Sequence, residues 1–346
     1  MRVALVCPYD LGKPGGVQDQ VTLLARWLET HGHDPVVVGP GSEGPETSVL
    51  VGGTVTIPAN RSAAPVSVDP RVVNRVRKAV DGADVVHVHE PFMPAVSLAA
   101  TLTASAPTVG TFHADAPSWA RHLLASGRAI TRSMASRLDV VTAVSDVARS
   151  SVGVLAGVRI IPNGLDIARF APSEKEVASV VFVGRDDKRK GLSVLLRAWP
   201  VVRENHPSAF LRVVGASRDT EIAGVEFLGR VPEETKVSVL ASSGIAVAPN
   251  TGGESFGIVI VEAMASGCAV VASALPAFIS VLGGTGELVE VGDADGLAGR
   301  IVTLLGDEQR RSAKADAARD RARLYDVDTV ARSYLDAYTD AIAVHR

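Results

Sequence analysis

Two glutamates in the second half of the chain have the types and spacing of a ligand-binding pair. In the segment GGESFGIVIVEAMASG, Glu254 lies just before a helical pattern and Glu262 lies about two turns inside it. Carboxylates placed in this way can face one crevice and accept hydrogen bonds from sugar and ribose hydroxyls. The alternative is a structural pair, in which Glu254 caps the helix and Glu262 is a partly buried helix residue.

Glycines surround the first of these glutamates. Gly252, Gly253 and Gly257 carry no side chain, so a ligand can approach the backbone closely there. The N–H groups at the start of the following helix suit a phosphate. The segment therefore favours a ligand with both hydroxyl groups and a phosphate.

A second candidate site follows the strand pattern VFVG, where Arg185, Arg189 and Lys190 open a helical pattern. Cations beside a helix N-terminus at the carboxyl end of a parallel strand form an anion site, and a leaving diphosphate needs such neutralisation. The alternative is an exposed loop of mixed charge, since Asp186 and Asp187 offset part of the positive charge.

The first strand of the chain runs into a glycine pair in the segment CPYDLGKPGGVQ. The segment lacks the G-x-G-x-x-G pattern, so it does not indicate a dinucleotide site. A glycine pair in this position lets the backbone N–H of Gly16 approach a phosphate, whereas the alternative is an ordinary turn between a strand and a helix.

Histidines occur at two strand ends in the first half of the chain. His113 follows the strand TVGTF, and strand ends in a doubly wound sheet line the ligand crevice, so His113 is a candidate for sugar contact or a structural residue. His87 and His89 share one face of the strand VVHVH. No third ligand is spaced nearby, so a metal site is not indicated.

The elements that position these residues follow an alternation of strand and helix patterns. Strand patterns such as VALVC, PVVVG and DVVHVH alternate with helical patterns in the first half, and SVVFVG, FLRVVG and IAVAPN do so in the second. This alternation predicts parallel sheets covered on both faces. The predicted class is α/β, with two Rossmann-like doubly wound domains that face each other across a cleft.

The chain of 346 residues exceeds what one hydrophobic core usually organises, which favours two domains. Turn residues in RIIPNGLDIARFAPSEKE indicate a hinge there. We predict an N-terminal domain over residues 1–165 and a C-terminal domain over 166–325. A last amphipathic helix over 326–346 is predicted to cross back to the N-terminal domain.

Composition excludes several classes of protein. Apolar residues make up 47% and charged residues 21% of the chain, which is typical of a globular α/β protein. The formal charge of −3 gives no basic field for nucleic acid. Cys7 and Cys268 lie in separate apolar runs and are predicted to be core residues in a reducing compartment.

No targeting or membrane-spanning segment is predicted. The N-terminal residues MRVALVCPYD fit a first strand better than a signal peptide. The uncharged stretch at 91–112 is long enough to cross a bilayer, but Pro94, Pro107 and Gly110 divide it into a helix and a strand.

One local segment is a candidate for membrane contact. In PRVVNRVRKAV, Arg71, Arg75 and Lys78 fall on one helical face beside a row of valines. A basic amphipathic helix can lie on anionic lipid. The alternative is a helix that packs through its valines and leaves a solvated basic face.

Taken together, these motifs resemble those of the family-four retaining glycosyltransferases, which have the GT-B architecture. The resemblance covers almost the whole chain through PGGVQ, IPNGLDIARF, GRDDKRKG and ESFGIVIVE. Within that family, VCPY, HEP, TFH, AVSD and GGESFGIV are similar to the actinobacterial phosphatidylinositol mannosyltransferases. That group uses GDP-mannose at the cytoplasmic membrane face.

The resemblance implies a role for each matching residue. Arg185 and Lys190 would bind the diphosphate, Glu262 the ribose and Gly16 a phosphate oxygen, while Glu254 and His113 would contact the transferred sugar. The resemblance adds Ser255, Phe256, Gly257 and Ile258 to the donor site, and Tyr9, Gln18 and Asn60 to the acceptor site. It implies a peripheral protein at the inner face of the plasma membrane, with no tightly bound cofactor and no implied divalent metal.

The chain departs from the group near the predicted acceptor site. The group has basic residues after its PxNxS motif and a lysine shortly after TFH, whereas this chain has NRSAAPVSV and HADAPSW, with Arg61 as the nearest replacement. The alternatives are another nucleotide sugar or a non-inositol acceptor, a nucleotide-sugar epimerase or sugar phosphorylase, and a non-catalytic binding protein.

Overall fold

The computed structural model describes residues 1–46, 48–59, 62–66, 71–113, 128–153 and 155–345. The chain divides into two compact units. Unit 1 comprises Met1–Gly164 and Val327–Arg346, and unit 2 comprises Leu165–Asp326. Each boundary lies one residue from the predicted one, and the C-terminal residues from Val327 onwards belong to unit 1.

Unit 1 contains a sheet of seven strands that are parallel throughout, in the order β3-β2-β1-β6-β7-β8-β9. The order reverses direction beside β1, so β1 and β6 are neighbours at the switch point of a doubly wound sheet. The strands are β1 (Arg2–Val6), β2 (Asp34–Gly39), β3 (Ser48–Leu50), β6 (Val85–His89), β7 (Thr108–Phe112), β8 (Val140–Ala143) and β9 (Arg159–Ile160).

Helices cover both faces of this sheet because its strands are apolar on both sides. Val3 and Leu5 face a core that includes α1, whereas Ala4 and Val6 face a core that includes α2 and α3. The helices of unit 1 are α1 (Gly16–Thr30), α2 (Val72–Val80), α3 (Val96–Thr103), α4 (Arg128–Ala135), α5 (Asp146–Ser151) and α12 (Val327–Val344). An antiparallel hairpin, β4 (Val55–Ala59) and β5 (Ser62–Val66), was not predicted.

Helix α12 packs against unit 1 through an apolar stripe that repeats about every three to four residues. The stripe joins the same core as α1, and Trp27 of α1 donates its indole N–H to Asp328 at 3.1 Å. Its buried residues are Val330, Ala331, Tyr334, Ala337, Tyr338 and Ala341. The helical periodicity therefore locates the packed face of α12.

Unit 2 contains a sheet of six parallel strands in the order β12-β11-β10-β13-β14-β15. Its switch point lies between β10 and β13. The strands are β10 (Glu176–Val183), β11 (Phe210–Val214), β12 (Val225–Gly229), β13 (Ser243–Ala248), β14 (Ala269–Ser273) and β15 (Glu287–Val289). The helices are α6 (Leu192–Asn205), α7 (Glu233–Ser242), α8 (Ile258–Ala265), α9 (Pro276–Leu282), α10 (Ala294–Gly306) and α11 (Glu308–Ala322).

These two parallel sheets confirm the predicted α/β class. The helix predicted in the segment PRVVNRVRKAV is present as α2, and Cys7 and Cys268 are buried as predicted. Within the described ranges, no helix combines the length and the apolar character that crossing a bilayer requires.

Candidate functional site

In unit 2 the candidate residues follow the two strands that flank the switch point. Arg185 and Lys190 follow β10, and Glu254 follows the neighbouring strand β13. Because the carboxyl ends of parallel strands meet at one edge of a sheet, the two loops lie side by side. Thr251 joins them by donating its N–H to the Arg189 carbonyl at 2.8 Å and its hydroxyl to the Lys188 carbonyl at 2.9 Å.

The loop after β10 is held by a short 3-10 helix, Lys188–Lys190, and a required glycine. Asp187 caps this helix by accepting the N–H of Lys190 at 3.1 Å. Gly191 has φ of +72° and lies so close to the Pro249 carbonyl that any Cβ would overlap it. Because Gly191 permits this close contact with Pro249, the preceding residue Lys190 lies against the loop after β13.

Lys190 and Glu254 form a direct ion pair, with 2.7 Å between Nζ and Oε1. Asn250 donates its side-chain N–H to the same carboxylate oxygen at 2.7 Å. The lysine and glutamate side chains are 23% and 14% exposed, so the pair is shielded from water yet reachable. They line a cavity of about 40 Å³ with the predicted donor residues Gly257 and Ile258.

The other predicted donor residues of this region occupy different positions. The Arg185 side chain is 66% exposed, and its guanidinium lies 3.5 Å from the Asp187 carboxylate. Ser255 is half-buried, and Phe256 is buried with its ring edge-on to Tyr325 at 5.5 Å between centroids. Phe256 therefore serves the core of unit 2 through its side chain.

Glu262 lies on α8 and belongs to a separate ion pair. Its Oε1 is 2.8 Å from Nζ of Lys236, which also contacts Glu233 at 3.0 Å. Burial lowers the pKa of Lys236, but the carboxylates of Glu262 and Glu233 outweigh burial and leave the pKa raised. Glu254 and Glu262 are thus each charge-paired with a different lysine, an arrangement that the spacing did not predict.

In unit 1 the glycine pair lies at the start of α1, beside the carboxyl end of β1. Gly15 adopts extended backbone, and a Cβ there would overlap the side-chain amide of Gln18. A Cβ on Gly16, in contrast, would meet no atom within 4 Å. Packing therefore does not require glycine at position 16, and the backbone there is open to a ligand.

Asp10 organises the loop between β1 and this glycine pair. Its carboxylate accepts the Gly12 N–H at 3.1 Å and the Thr54 hydroxyl at 2.6 Å, and Lys13 lies 3.5 Å away. Asp10 is buried. No local sequence pattern marks Asp10, because only the fold brings Thr54 beside it.

The predicted acceptor residues divide between described and undescribed parts of the chain. Burial and the nearby Glu90 carboxylate raise the pKa of Tyr9 well above its usual value. Gln18 is buried and donates its side-chain N–H to the Asp10 carbonyl at 3.2 Å. Asn60 lies outside the described residues.

His113 lies at the carboxyl end of β7 and is held by its neighbours. Its backbone N–H donates to Glu90 at 2.8 Å, and its ring nitrogen Nε2 is 2.8 Å from Nδ1 of His89. Burial lowers the pKa of His113 to about 4 despite a hydrogen bond with Asn163. The Nε2 atom of His113 is thus engaged within unit 1.

His87 extends this buried cluster towards α12. Its ring is 2.8 Å from the Tyr338 hydroxyl and 2.6 Å from the Thr111 hydroxyl. Burial, then the charge of His113, lowers the pKa of His87 to about 3. In the part of the chain that is described, no group of three His, Cys, Asp or Glu side chains could hold a metal ion.

Helix α2 packs into unit 1 through Val72, Val76 and Val80, which are all buried. These valines serve the core, so the apolar face of the predicted membrane helix is not available to lipid. Arg71, Arg75 and Lys78 are exposed, as is Arg77, and Arg75 donates to the Val51 carbonyl at 3.2 Å. What α2 presents to solvent is therefore a basic face.

Two further residues of the site, Asn250 and Lys236, were not predicted from the sequence. Asn250 contacts Glu254 only four residues away, but an asparagine after a strand is common in turns. Lys236 contacts Glu262 across 26 residues of chain. No local pattern joins α7 to α8, so only the fold could show this pair.

Comparison with protein families covers both units. Residues 14–169 match the model described as Glycosyltransferase Family 4, and residues 178–307 match the model described as Glycosyl transferases group 1. Among solved structures, a glycosyltransferase from Rickettsia africae has a TM-score of 0.74 at 18% identity, over 99% of this chain and 98% of that one. Anabaena HepE in complex with UDP has a TM-score of 0.76 at 19% identity, over 98% and 100%.

Curated relatives match over nearly the full length. The phosphatidyl-myo-inositol mannosyltransferase of Mycolicibacterium smegmatis is 39% identical, over 98% of this chain and 93% of the relative. The proteins of the same name from Mycobacterium tuberculosis and Propionibacterium freudenreichii are 37% and 35% identical, over 98% and 99% of this chain and 96% and 95% of the relatives. The chain is therefore a glycosyltransferase, and it belongs to glycosyltransferase family 4.

Proposed function

We propose that this protein transfers mannose from GDP-mannose to a phosphatidyl-myo-inositol lipid, with retention of configuration at the sugar. The pairing of Lys190 with Glu254 at the switch point of unit 2 is the observation that carries this proposal. A cation for the diphosphate and a carboxylate for sugar hydroxyls are what a nucleotide-sugar donor needs side by side. The names of the full-length relatives support the mannosyl group and the lipid acceptor.

A partial relative supports GDP-mannose as the donor. A protein of Corynebacterium glutamicum, 29% identical over 61% of this chain, is named as a GDP-mannose-dependent phosphatidylinositol monomannoside mannosyltransferase. In the proposed complex, Glu262 binds the ribose, Arg185 and Lys190 bind the diphosphate, and Gly16 donates its N–H to a phosphate oxygen. The open backbone at Gly16 and the exposed guanidinium of Arg185 are compatible with these roles.

The proposed reaction breaks the bond between the sugar C1 and the diphosphate oxygen, and it forms a bond from C1 to the acceptor hydroxyl oxygen on the same face. The hydroxyl proton passes to the departing phosphate, and GDP leaves. Lys190 and Arg185 stabilise the negative charge that develops on the diphosphate. Positioning of the two substrates supplies much of the remaining acceleration.

The proposed place of action is the inner face of the plasma membrane, where the protein binds peripherally. The exposed basic face of α2 supports this placement, because basic residues are attracted to anionic lipid by about 1 kcal/mol each near the surface. The contact is mainly electrostatic, since Val72, Val76 and Val80 are buried and Val73 is the one valine of α2 that is exposed.

GDP release by the purified protein from GDP-mannose, with and without phosphatidylinositol vesicles, tests the proposal. We expect release that depends on the vesicles and yields a mannolipid. Lys190→Ala should lower kcat by about 100-fold or more, because the diphosphate loses a charge-assisted partner. UDP-sugars run in parallel as donors, and release from one of them alone would replace the donor while keeping the family.

Other outcomes would replace other parts of the proposal. Release with a non-inositol acceptor alone would change the acceptor. Conversion of the donor sugar without any acceptor would indicate an epimerase, and binding without turnover would indicate a non-catalytic protein. A Lys190→Ala protein with full activity would contradict the role given to Lys190.

A further inference from the structure

We propose that Asn250 is a positioning residue that holds the Glu254 carboxylate in place when the donor diphosphate engages Lys190. This inference rests on the proposed transferase function. Asn250 is buried, and its side-chain amide donates to Oε1 of Glu254 at 2.7 Å. Lys190 donates to the same oxygen at 2.7 Å.

The backbone around Glu254 does little to fix the carboxylate. Gly252, Gly253 and Gly257 have φ of +146°, +70° and +102°, in the region that side-chain-bearing residues rarely adopt. Helix α8 begins only at Ile258, so Glu254 lies on a glycine-rich turn. Its orientation therefore depends on the hydrogen bonds that its carboxylate accepts.

The backbone of Asn250, in contrast, is held in place by its neighbours on both sides. It follows β13, a strand that is buried throughout. Its neighbour Pro249 packs against Gly191, and its other neighbour Thr251 is hydrogen-bonded to the loop after β10 at 2.8 and 2.9 Å. Both sides of Asn250 are thus fixed to the segment that carries Lys190.

A bound diphosphate affects the two hydrogen-bond donors to Glu254, Lys190 and Asn250, in different ways. Lys190 carries a positive charge, and a diphosphate beside it competes with the carboxylate for that charge. The Asn250 amide is neutral and keeps its hydrogen bond during this competition. Because Asn250 adds no charge, it also leaves the Lys190 charge available to the leaving group.

The test compares Asn250→Asp and Asn250→Ala with the wild-type enzyme, using the nucleotide sugar that the wild type turns over. Asn250→Ala removes the whole amide and adds no charge, whereas Asn250→Asp keeps the side-chain shape but removes the N–H donor and adds a negative charge beside Glu254. We expect kcat to fall roughly 10- to 100-fold in Asn250→Ala, the loss expected for a hydrogen bond to a charged group, and at least as far in Asn250→Asp. Donor KM should change by less than about threefold in Asn250→Ala.

Affinity for nucleoside diphosphate alone separates positioning from a structural role. Titration calorimetry with GDP and UDP should give unchanged affinities in Asn250→Ala, and its thermal midpoint should stay near the wild-type value. Asn205→Asp is the matched control, since Asn205 is exposed at the end of α6 and donates its side-chain N–H to the Val201 carbonyl of its own helix. Its kcat should match that of the wild type.

Activity within about twofold of wild type in both Asn250 variants would overturn the inference. A parallel loss of GDP affinity and thermal midpoint in Asn250→Ala would also overturn it, since that outcome means a structural role. If the wild type uses a donor other than GDP-mannose, the proposed substrate fails while the Asn250 comparison stands on that other donor. If the wild type binds no nucleotide sugar, both proposals fail.

Discussion

Gly16 and Gly15 are adjacent glycines with different reasons to be glycine. A side chain at Gly15 would overlap the Gln18 amide, whereas a side chain at Gly16 would meet open space. Packing explains the first, and the proposed approach of a donor phosphate explains the second. Adding one methyl group at Gly15 therefore tests packing, whereas adding one at Gly16 tests the proposed ligand contact.

Replacing Gly16 with alanine should leave the fold intact and impair donor use. The Cβ meets no protein atom, and Gly16 begins α1 without a positive φ, so the thermal midpoint should not fall. A methyl group on the proposed phosphate path should lower kcat/KM for the donor by roughly 10- to 100-fold, or about 1.4–2.8 kcal/mol.

Gly299→Ala is the control for the Gly16 prediction. Gly299 lies inside α10, and a Cβ there also meets nothing within 4 Å. Alanine is the better helix former by about 1 kcal/mol, so this variant should be no less stable and fully active. Full activity in Gly16→Ala would remove Gly16 from the donor site.

For helix α2, the structure shows which surface its valines Val72, Val76 and Val80 contact. The sequence pattern allowed either an amphipathic membrane helix or a helix packed by its valines, and the structure shows the valines in the core of unit 1. The membrane attraction that we propose for α2 therefore rests mainly on its basic side chains. Such attraction is sensitive to salt, because exposed charges are screened within about 8–10 Å at physiological ionic strength.

Replacing Arg71, Arg75 and Lys78 with serine should weaken binding to anionic vesicles without unfolding the protein. At about 1 kcal/mol per residue near the surface, the full loss is roughly 100- to 200-fold at low salt and shrinks as salt is added. Vesicle co-sedimentation over a range of salt concentrations measures both effects. The valines that anchor α2 are unchanged in this variant.

A charge-matched variant controls for net charge alone. Three exposed arginines on or beside other helices can be replaced by serine together, namely Arg26, Arg137 and Arg197. This variant should bind vesicles almost as the wild type does. Equal losses in both variants would show that total charge, and not α2, governs the attraction.

At the scale of the whole molecule, the C-terminal helix α12 returns to unit 1 and closes a core that contains three buried histidines. His87 contacts Tyr338 of α12, and His89 contacts both His87 and His113. Burial is the main cause of the lowered pKa of each ring, to about 3 for His87 and about 4 for His113. The folded core therefore holds these rings neutral.

The lowered pKa values predict that stability falls as pH falls below about 6.5, the usual pKa of an unfolded histidine. In that range the unfolded chain binds protons that the folded chain does not, so the free energy of unfolding decreases as the solution becomes more acidic. Each buried histidine should contribute a slope of up to about 1.4 kcal/mol per pH unit. Urea unfolding between about pH 5 and pH 7 measures the free energy of unfolding and hence this slope.

His87→Gln should reduce this slope by the contribution of one histidine. His31→Gln is the control, because His31 is exposed at the end of α1 and its loss leaves the buried rings in place. The slope that the buried rings contribute should therefore remain in the control. A slope in His87→Gln equal to that of the wild type would contradict the predicted contribution of His87.

The sequence by itself was enough to predict the α/β class, two domains, and the order of the principal strands and helices. These features depend on local periodicity, which parallel strands and packed helices impose on their own residues. The helix in PRVVNRVRKAV and the amphipathic C-terminal helix are examples. Motif resemblance added the family, which the comparisons confirm.

Only the tertiary structure decided how the charged residues of the site pair. Lys190 meets Glu254 across 64 residues, Lys236 meets Glu262 across 26, and Thr54 meets Asp10 across 44. It also decided that the valines of α2 belong to the core. Pairing and burial depend on which surfaces meet when the sheet and its helices assemble, and that information is carried by no single segment of the chain.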